Sequence, residues 1–380
     1  MDPILAYAQA QQGAIIETIR QMVECESPSD DRAAVNRHVD QMCDLLAADA
    51  KLTRKKGGVY GDHLLAEFHL PGRKKSGQIL ALGHTDTVYP LGIRKTMPWR
   101  VAEGRLWGPG VLDMKGGVAF FVHAMRALRE LEIPVPSKVV LQLNSDEEVG
   151  SHSSRPLTEA MAKRSKCVLV LEPGTGLSGK LKTARKGVGG YTVRVRGVAA
   201  HAGVDFSNGA NAIVELARQI ERIAAFTNLD IGLTVNPGVI RGGTRTNVVP
   251  AEAEVEVDLR IARLRDAAAL ERKFKGLRAV DKRCAVTVEG GLNRPPMERT
   301  KGIAALFAQA RELAAGLGVA LEESSTGGGS DGNFTGALGI PTLDGLGAVG
   351  EGAHAVNESI LIDRIADRTA LLARLVAAVR

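Results

Sequence analysis

Val139–His152 reads VVLQLNSDEEVGSH, an apolar run fit for a buried strand that ends in three consecutive carboxylates, Asp146, Glu147 and Glu148. Like charges packed so closely raise one another's pKa and weigh against folding unless a proton or a cation sits among them. Similar apolar runs surround this one: HLLAEFHL (63–70) and QILALGH (78–84) precede it, and CVLVLEP (167–173) follows. Between them MKGGVAFFVHAMRALRELE (114–132) carries apolar residues at helical spacing and is predicted to end before Pro134. Strands alternating with helices predict an α/β fold, a mixed and largely parallel sheet flanked by helices. In such sheets ligands gather at the carboxyl ends of the strands.

Upstream, Ile4, Leu5, Ala8, Ile15, Ile16, Ile19 and Met22 follow a helical period, and SPSDDRAAVNRHVDQMCDLLAA (27–48) repeats it with Ser29 or Asp30 as the expected cap. Downstream, the texture changes near Thr183. GGYTVRVRGVA (189–199), GLTVNPGVIRGG (232–243), NVVPAEAEVEVDLRIA (247–262) and CAVTVEGG (284–291) alternate at period two, and NAIVELARQIERIAAF (211–226) and RDAAALERKFKGLRAV (265–280) are helical. This β-α-β-β-α-β order predicts an inserted α+β unit over 183–294, two helices on a four-stranded antiparallel sheet. Residues 1–182 and 295–380 then form one discontinuous domain, with helices expected near 301–317 and 361–379.

Composition excludes several classes. Of 380 residues, 44% are hydrophobic and 24% charged, ordinary for a soluble enzyme. The net charge of +6 comes from dispersed Lys and Arg, and the short basic clusters RKK (54–56) and GRKKSG (72–77) read as solvated turns, which argues against nucleic-acid binding. Four cysteines without a CxxC pair suggest free thiols in a reducing compartment. MDPILAYAQAQQGAIIETIRQMVE lacks the basic and apolar blocks of a signal peptide, and no apolar run reaches membrane-spanning length. A cytoplasmic protein without a membrane partner is expected.

Polar motifs punctuate the α/β part: GHTDT (83–87), GPGVLDMKGG (108–117), NSDEE (144–148), LEPG (171–174) and, late in the chain, GEGAHAVNE (350–358). Singly each has an ordinary reading: a buried histidine, a helix cap at Asp113, a solvated helix start at Asp146–Glu148, a surface His354. Together they offer imidazoles and carboxylates without thiolates, a donor set suited to zinc, manganese or cobalt, and a pair of such ions needs a bridging carboxylate. Asp86 is placed to hold the far ring nitrogen of His84. STGGGSDGNF (325–334) lacks the Lys-Ser/Thr of a phosphate-binding loop, which argues against nucleotides.

GHTDTVYP, GPGVLDMKGG, NSDEEVGS, LEPG, HAG (201–203), NVVP and TGGGSDGNF, followed by a late histidine, resemble the co-catalytic dizinc metallopeptidases. That family includes bacterial glutamate carboxypeptidase, acetylornithine deacetylase, succinyl-diaminopimelate desuccinylase and the aminoacylases. The resemblance runs from about Ser27 to Ile360 and is closest in wording to glutamate carboxypeptidase. It implies that 1–182 and 295–380 are the catalytic metal-binding domain and 183–294 a dimerisation domain. It implies two Zn2+ per subunit, with Co2+ or Mn2+ as substitutes: His84 and Glu172 on one ion, Glu148 and His354 on the other, and Asp113 bridging. Glu147 would be the general base acting on a water activated by the two ions, and the peptide after Asp113 would be cis. His201, from the partner subunit of a homodimer, and Asn247 would stabilise the oxyanion. Arg260 would grip the substrate's α-carboxylate, unless it forms a solvent-facing cross-strand pair with a carboxylate. Gly328 and Gly329 would line that pocket, with Arg294 facing it. The substrate would be a small peptidyl- or acyl-amino acid, cleaved at the amide to its C-terminal residue. An N-acyl-amino-acid deacylase is the alternative, and an inactive relative used as a binding protein is a third reading.

Overall fold

The computed structural model describes residues 2–379, which divide into two compact units: 1–184 with 299–325 and 330–380, and 185–298 with 326–329. The expected division near 182 and 295 falls a few residues later, and Thr326–Gly329 goes with the second unit.

The first unit is built on a six-stranded sheet in the order Ala50–Lys55, His63–Phe68, Lys138–Asn144, Gln78–His84, Cys167–Val170, Thr342–Leu343. Its first two pairings are antiparallel and the remaining three parallel, so the sheet is mixed and largely parallel as expected. The central strands are buried on both faces, which is why they read as continuous apolar runs. Ile79, Ala81, Val139 and Leu141 join the main core, while Leu80, Leu82, Val140 and Val168 pack into a smaller cluster on the other face. The helix Gly116–Glu130 buries Phe120, Phe121, Val122 and Leu128 in the main core. Each such side chain contributes about 1.5–3 kcal/mol by leaving water.

Sequence periodicity missed two features here. The opening helical pattern breaks at Gln11 into Pro3–Ala10 and Gln12–Glu24. The next helix, Arg32–Leu46, is capped by Asp31, whose carboxylate accepts from the Ala34 N–H at 2.9 Å, and not by Ser29 or Asp30. Ser29 is used elsewhere, donating to Asp86 at 2.8 Å.

The second unit carries a four-stranded antiparallel sheet in the order Thr234–Gly242, Glu252–Ile261, Gly187–Arg196, Ala285–Arg294. Val193, Val195, Val255, Val257 and Leu259 face Leu216, Ile223, Leu270 and Phe274 of the helices Ala212–Ala224 and Ala267–Lys275. The alternate residues form an exposed ladder of ion pairs, Arg194 with Glu254 and Glu289, Arg241 with Glu254 and Glu256. Such exposed pairs are worth roughly 0–1 kcal/mol each. The stretch read as one alternating run at 247–262 is two strands, Val248–Val249 and Glu252–Ile261.

Candidate metal centre

The strand ending at His84 lies between Lys138–Asn144 and Cys167–Val170 and runs parallel to both. Their carboxyl ends therefore emerge side by side, and they deliver His84, the Glu147–Glu148 pair and Glu172 to one edge of the sheet. Asp113 arrives from the irregular turn Val111–Lys115 that feeds the helix Gly116–Glu130; the Asp113–Met114 peptide is cis. His354, at a φ of 62°, sits in the loop between Gly350–Glu351 and Ser359–Leu361, a pair of short strands fastened to Arg105–Trp107.

Nε2 of His84 is 3.2 Å from Oδ1 of Asp113 and 3.9 Å from Oε1 of Glu172. Nε2 of His354 is 3.3 Å from Oδ2 of Asp113 and 3.2 Å from Oε2 of Glu148. Asp113 thus turns one oxygen to each histidine. In the sets His84–Asp113–Glu172 and Asp113–Glu148–His354 the ligand atoms lie within 4.8 Å of one another. Ligands about 2.0–2.1 Å from a tetrahedral ion stand roughly 3.3 Å apart, close to these spacings. Oε1 of Glu148 is buried with no hydrogen-bond partner among the described residues. Donor chemistry, spacing and the orphaned oxygen all fit a pair of divalent cations.

The electrostatics show what a cation would relieve. Burial pushes His84 down, but its hydrogen bond to Asp113 and the charges of Asp86, Asp113 and Glu147 outweigh this and hold it well above 6.5. Hydrogen bonds to Asp113 and Glu148 raise His354 to about 10. Burial works against the charged form of Asp113, yet the two imidazoles hold its carboxyl far below the usual range.

Asp86 differs from its expected role. The ring Nδ1 of His84 is held by the Asp86 main-chain carbonyl at 2.8 Å, with the carboxylate at 3.5 Å. The carboxylate instead accepts the main-chain N–H of Glu147 at 3.2 Å, that of Glu148 at 3.1 Å and the hydroxyl of Ser29. Burial lifts it to about 6. It orients His84 from the main chain and the two glutamates from the side chain.

Glu358 was missed as a contributor. Its buried carboxylate accepts the N–H groups of Gly110 at 2.8 Å, Leu112 at 2.7 Å and Asp113 at 2.9 Å, and the Tyr89 hydroxyl at 2.6 Å. It ties the Asp113 turn to the loop of His354. Both residues stand inside motifs already quoted, Tyr89 in GHTDTVYP and Glu358 closing GEGAHAVNE; the signal was a carboxylate four residues after a ligand.

The other expected residues lie in the second unit. His201 lies in the small ladder formed by Ala200–His201 and Val248–Val249, opposite Val248, and Asn247 stands just beyond it, its carbonyl accepting the Ala202 N–H at 3.0 Å. Nδ1 of the exposed His201 accepts from the N–H groups of Gly203 and Val204. Arg260 pairs through Nε and Nη2 with Asp258 at 3.0 and 2.9 Å, a carboxylate two residues earlier on its own strand and not the cross-strand partner expected as the alternative, and its Nη1 reaches the Gly327 carbonyl at 3.2 Å. The carbonyls of Gly328 and Gly329 accept from Arg185. Arg294 is buried, and a Cβ at Gly329 would stand 2.9 Å from its Cδ, so that glycine makes room for Arg294.

Comparison with known proteins agrees with this geometry. The family model described as Peptidase family M20/M25/M40 matches residues 80–378. The chain is 30% identical over 381 residues to carboxypeptidase G2 of Pseudomonas sp. (strain RS-16), covering 97% of this chain and 90% of that protein. It is 30% identical over 317 residues to succinyl-diaminopimelate desuccinylase of Stenotrophomonas maltophilia (strain R551-3), covering 78% of this chain and 83% of that one. Its fold superposes with a TM-score of 0.72 on the Bacillus subtilis YXEP protein, a dinuclear metal binding peptidase, at 15% identity over 97% of this chain and 98% of that one. The chain belongs to peptidase family M20/M25/M40 and is a metal-dependent hydrolytic enzyme.

Proposed function

We propose that the protein cleaves the amide bond joining an acyl or peptidyl group to a C-terminal amino acid, in the manner of a glutamate carboxypeptidase. The observation that carries this is Asp113, whose two oxygens face two separate imidazoles, each backed by its own glutamate. His84, Glu172 and Asp113 would hold one zinc ion, and Asp113, Glu148 and His354 a second, with Co2+ or Mn2+ able to substitute; the dinuclear YXEP relative supports the count. Bound there, the ions would polarise the scissile carbonyl and make water acidic enough to attack near neutral pH. Glu147 acts as the general base: next to a ligand but outside both ligand sets, it takes the proton of the attacking water and delivers it to the leaving nitrogen. Asp86 fixes the main chain from which Glu147 projects.

The second unit supplies recognition. His201 and Asn247 stabilise the oxyanion, with His201 contributed by the partner in a homodimer. The edge strand Thr234–Gly242, with Val239 and Ile240 exposed beside the exposed Ile213 and Val214, supports dimerisation through this unit. Arg260 takes the substrate α-carboxylate by exchanging it for Asp258, with Arg294 and the Gly328–Gly329 backbone completing the pocket. Four unpaired cysteines support a cytoplasmic setting, and no described helix is long and apolar enough to cross a membrane.

Deacylation of an N-acyl amino acid is the second reading, favoured by the desuccinylase likeness, because the same centre cleaves either amide. Metal analysis of the purified protein, with assays on N-acetyl, N-benzoyl and dipeptide substrates, tests both. Two ions per chain with faster turnover of peptidyl or benzoyl substrates supports the first reading, faster N-acetyl turnover the second, and inactivity on every substrate removes both.

A further inference from the structure

Asp331 lies at the start of the helix Gly332–Ala337, in the capping position, yet its side chain caps nothing there. An aspartate at that place ordinarily accepts a main-chain N–H of the first turn, worth about 1 kcal/mol. Here Asp331 is only 4% exposed and its carboxylate serves side chains of another segment. Oδ2 accepts from the Asn144 side-chain amide at 2.5 Å, and Oδ1 accepts the Ser151 hydroxyl.

Those two donors bracket one loop. Asn144 is the last residue of the strand Lys138–Asn144, and its carbonyl receives the N–H of Thr85 at 2.7 Å, next to His84. Ser151 closes the loop at a φ of 57°, its N–H donating to the Asp146 carbonyl at 2.7 Å. Glu147 and Glu148 lie between them. Inside the loop the Asp146 carboxylate accepts the N–H groups of Ser153 and Ser154 and the Ser153 hydroxyl. Asp331 is therefore the brace outside the loop that binds both of its ends, as Asp86 is the brace on the metal side.

We propose that Asp331 is a positioning residue for the general base, clamping the Asn144–Ser151 loop at both ends so that Glu147 is held in register with the metal centre. The assignment rests on the catalytic role given to Glu147 above. A buried carboxylate accepting two side-chain donors across 187 and 180 residues of sequence fixes the loop more tightly than main-chain contacts alone. A displacement of the base by about 1 Å is enough to cost on the order of a hundredfold in rate.

The test compares Ser151→Ala, Asp331→Ala and the double variant in the metal-loaded enzyme, reading kcat and KM separately together with bound metal and melting temperature. Expected are a kcat loss of about tenfold or more in Asp331→Ala and a smaller loss in Ser151→Ala. KM should stay within about twofold and the metal content should match wild type. The double variant should be no slower than Asp331→Ala, since both substitutions break one clamp. Ser151→Ala deletes a single hydroxyl and serves should Asp331→Ala fail to fold. The proposal is overturned if Ser151→Ala keeps wild-type kcat, if losses add in the double variant, or if the losses follow lost metal or lost folded protein. An inactive wild type would refute the assigned reaction itself.

Discussion

The main-chain N–H of Glu147 donates to Oδ1 of Asp86 at 3.2 Å, while the carbonyl of the same Asp86 holds Nδ1 of His84 at 2.8 Å. One residue thus sets the distance between the His84 ring and the Glu147 main chain. Replacing Asp86 with Asn puts an amide donor against one of the two glutamate N–H groups and leaves that N–H without an acceptor. We expect kcat to fall by about 10- to 100-fold with metal still bound. Steady-state kinetics with metal analysis checks this, and an unchanged kcat would refute it.

Glu147→Gln keeps the shape of the side chain and removes its basicity. Turnover should fall by about 10²- to 10⁴-fold while both ions remain. Loss of an ion together with activity would instead make Glu147 a ligand.

The two ligand sets share only Asp113. His354→Ala and His84→Ala should each reduce bound metal from about two ions to about one, whereas Asp113→Ala should release both. Metal-to-protein ratios after gel filtration decide it; a full complement in Asp113→Ala would refute the bridge.

Acid stability should reflect two buried histidines. Burial holds His38 down to about 3 and His123 down to about 4, from an ordinary 6.5. Above pH 6.5 both are neutral in the folded and unfolded chain, so neither alters stability with pH. Below it the unfolded chain takes up protons that the native one resists. Each histidine then removes up to about 1.4 kcal/mol per pH unit until its folded pKa is reached. Urea midpoints from pH 7 to 5 should fall, and His123→Gln, which retains a polar partner for Thr18, should flatten the slope by about one proton's worth. An identical slope in that variant would contradict the assignment.

Legibility in the sequence followed local physics. Strands buried on both faces announce themselves as apolar runs, so His84, Glu148 and Glu172 could be placed at strand ends before any coordinates. The strand Ala50–Lys55 was passed over because it is an edge, largely exposed and rich in Lys and Arg. The small sheet that joins Arg105–Trp107 to Ser359–Leu361 was passed over because its strands are three residues long, too short to show a period. That sheet presents His354. The Glu358 and Asp331 contacts were out of reach for another reason: a buried carboxylate serving donors 180 or more residues away leaves no trace in local spacing. Proximity in sequence points the Asp86 carboxylate at His84, whereas the main-chain carbonyl wins that nitrogen by geometry.

Glu358 also constrains the order of biosynthesis. The first unit is interrupted by 185–298, so the ribosome releases His84 and Asp113 long before it makes His354 and Glu358. Through that interval the N–H groups of Gly110, Leu112 and Asp113 lack the acceptor that later organises them. A nascent chain that has finished the second unit still cannot assemble the centre, so metal acquisition must be a late, essentially post-translational event.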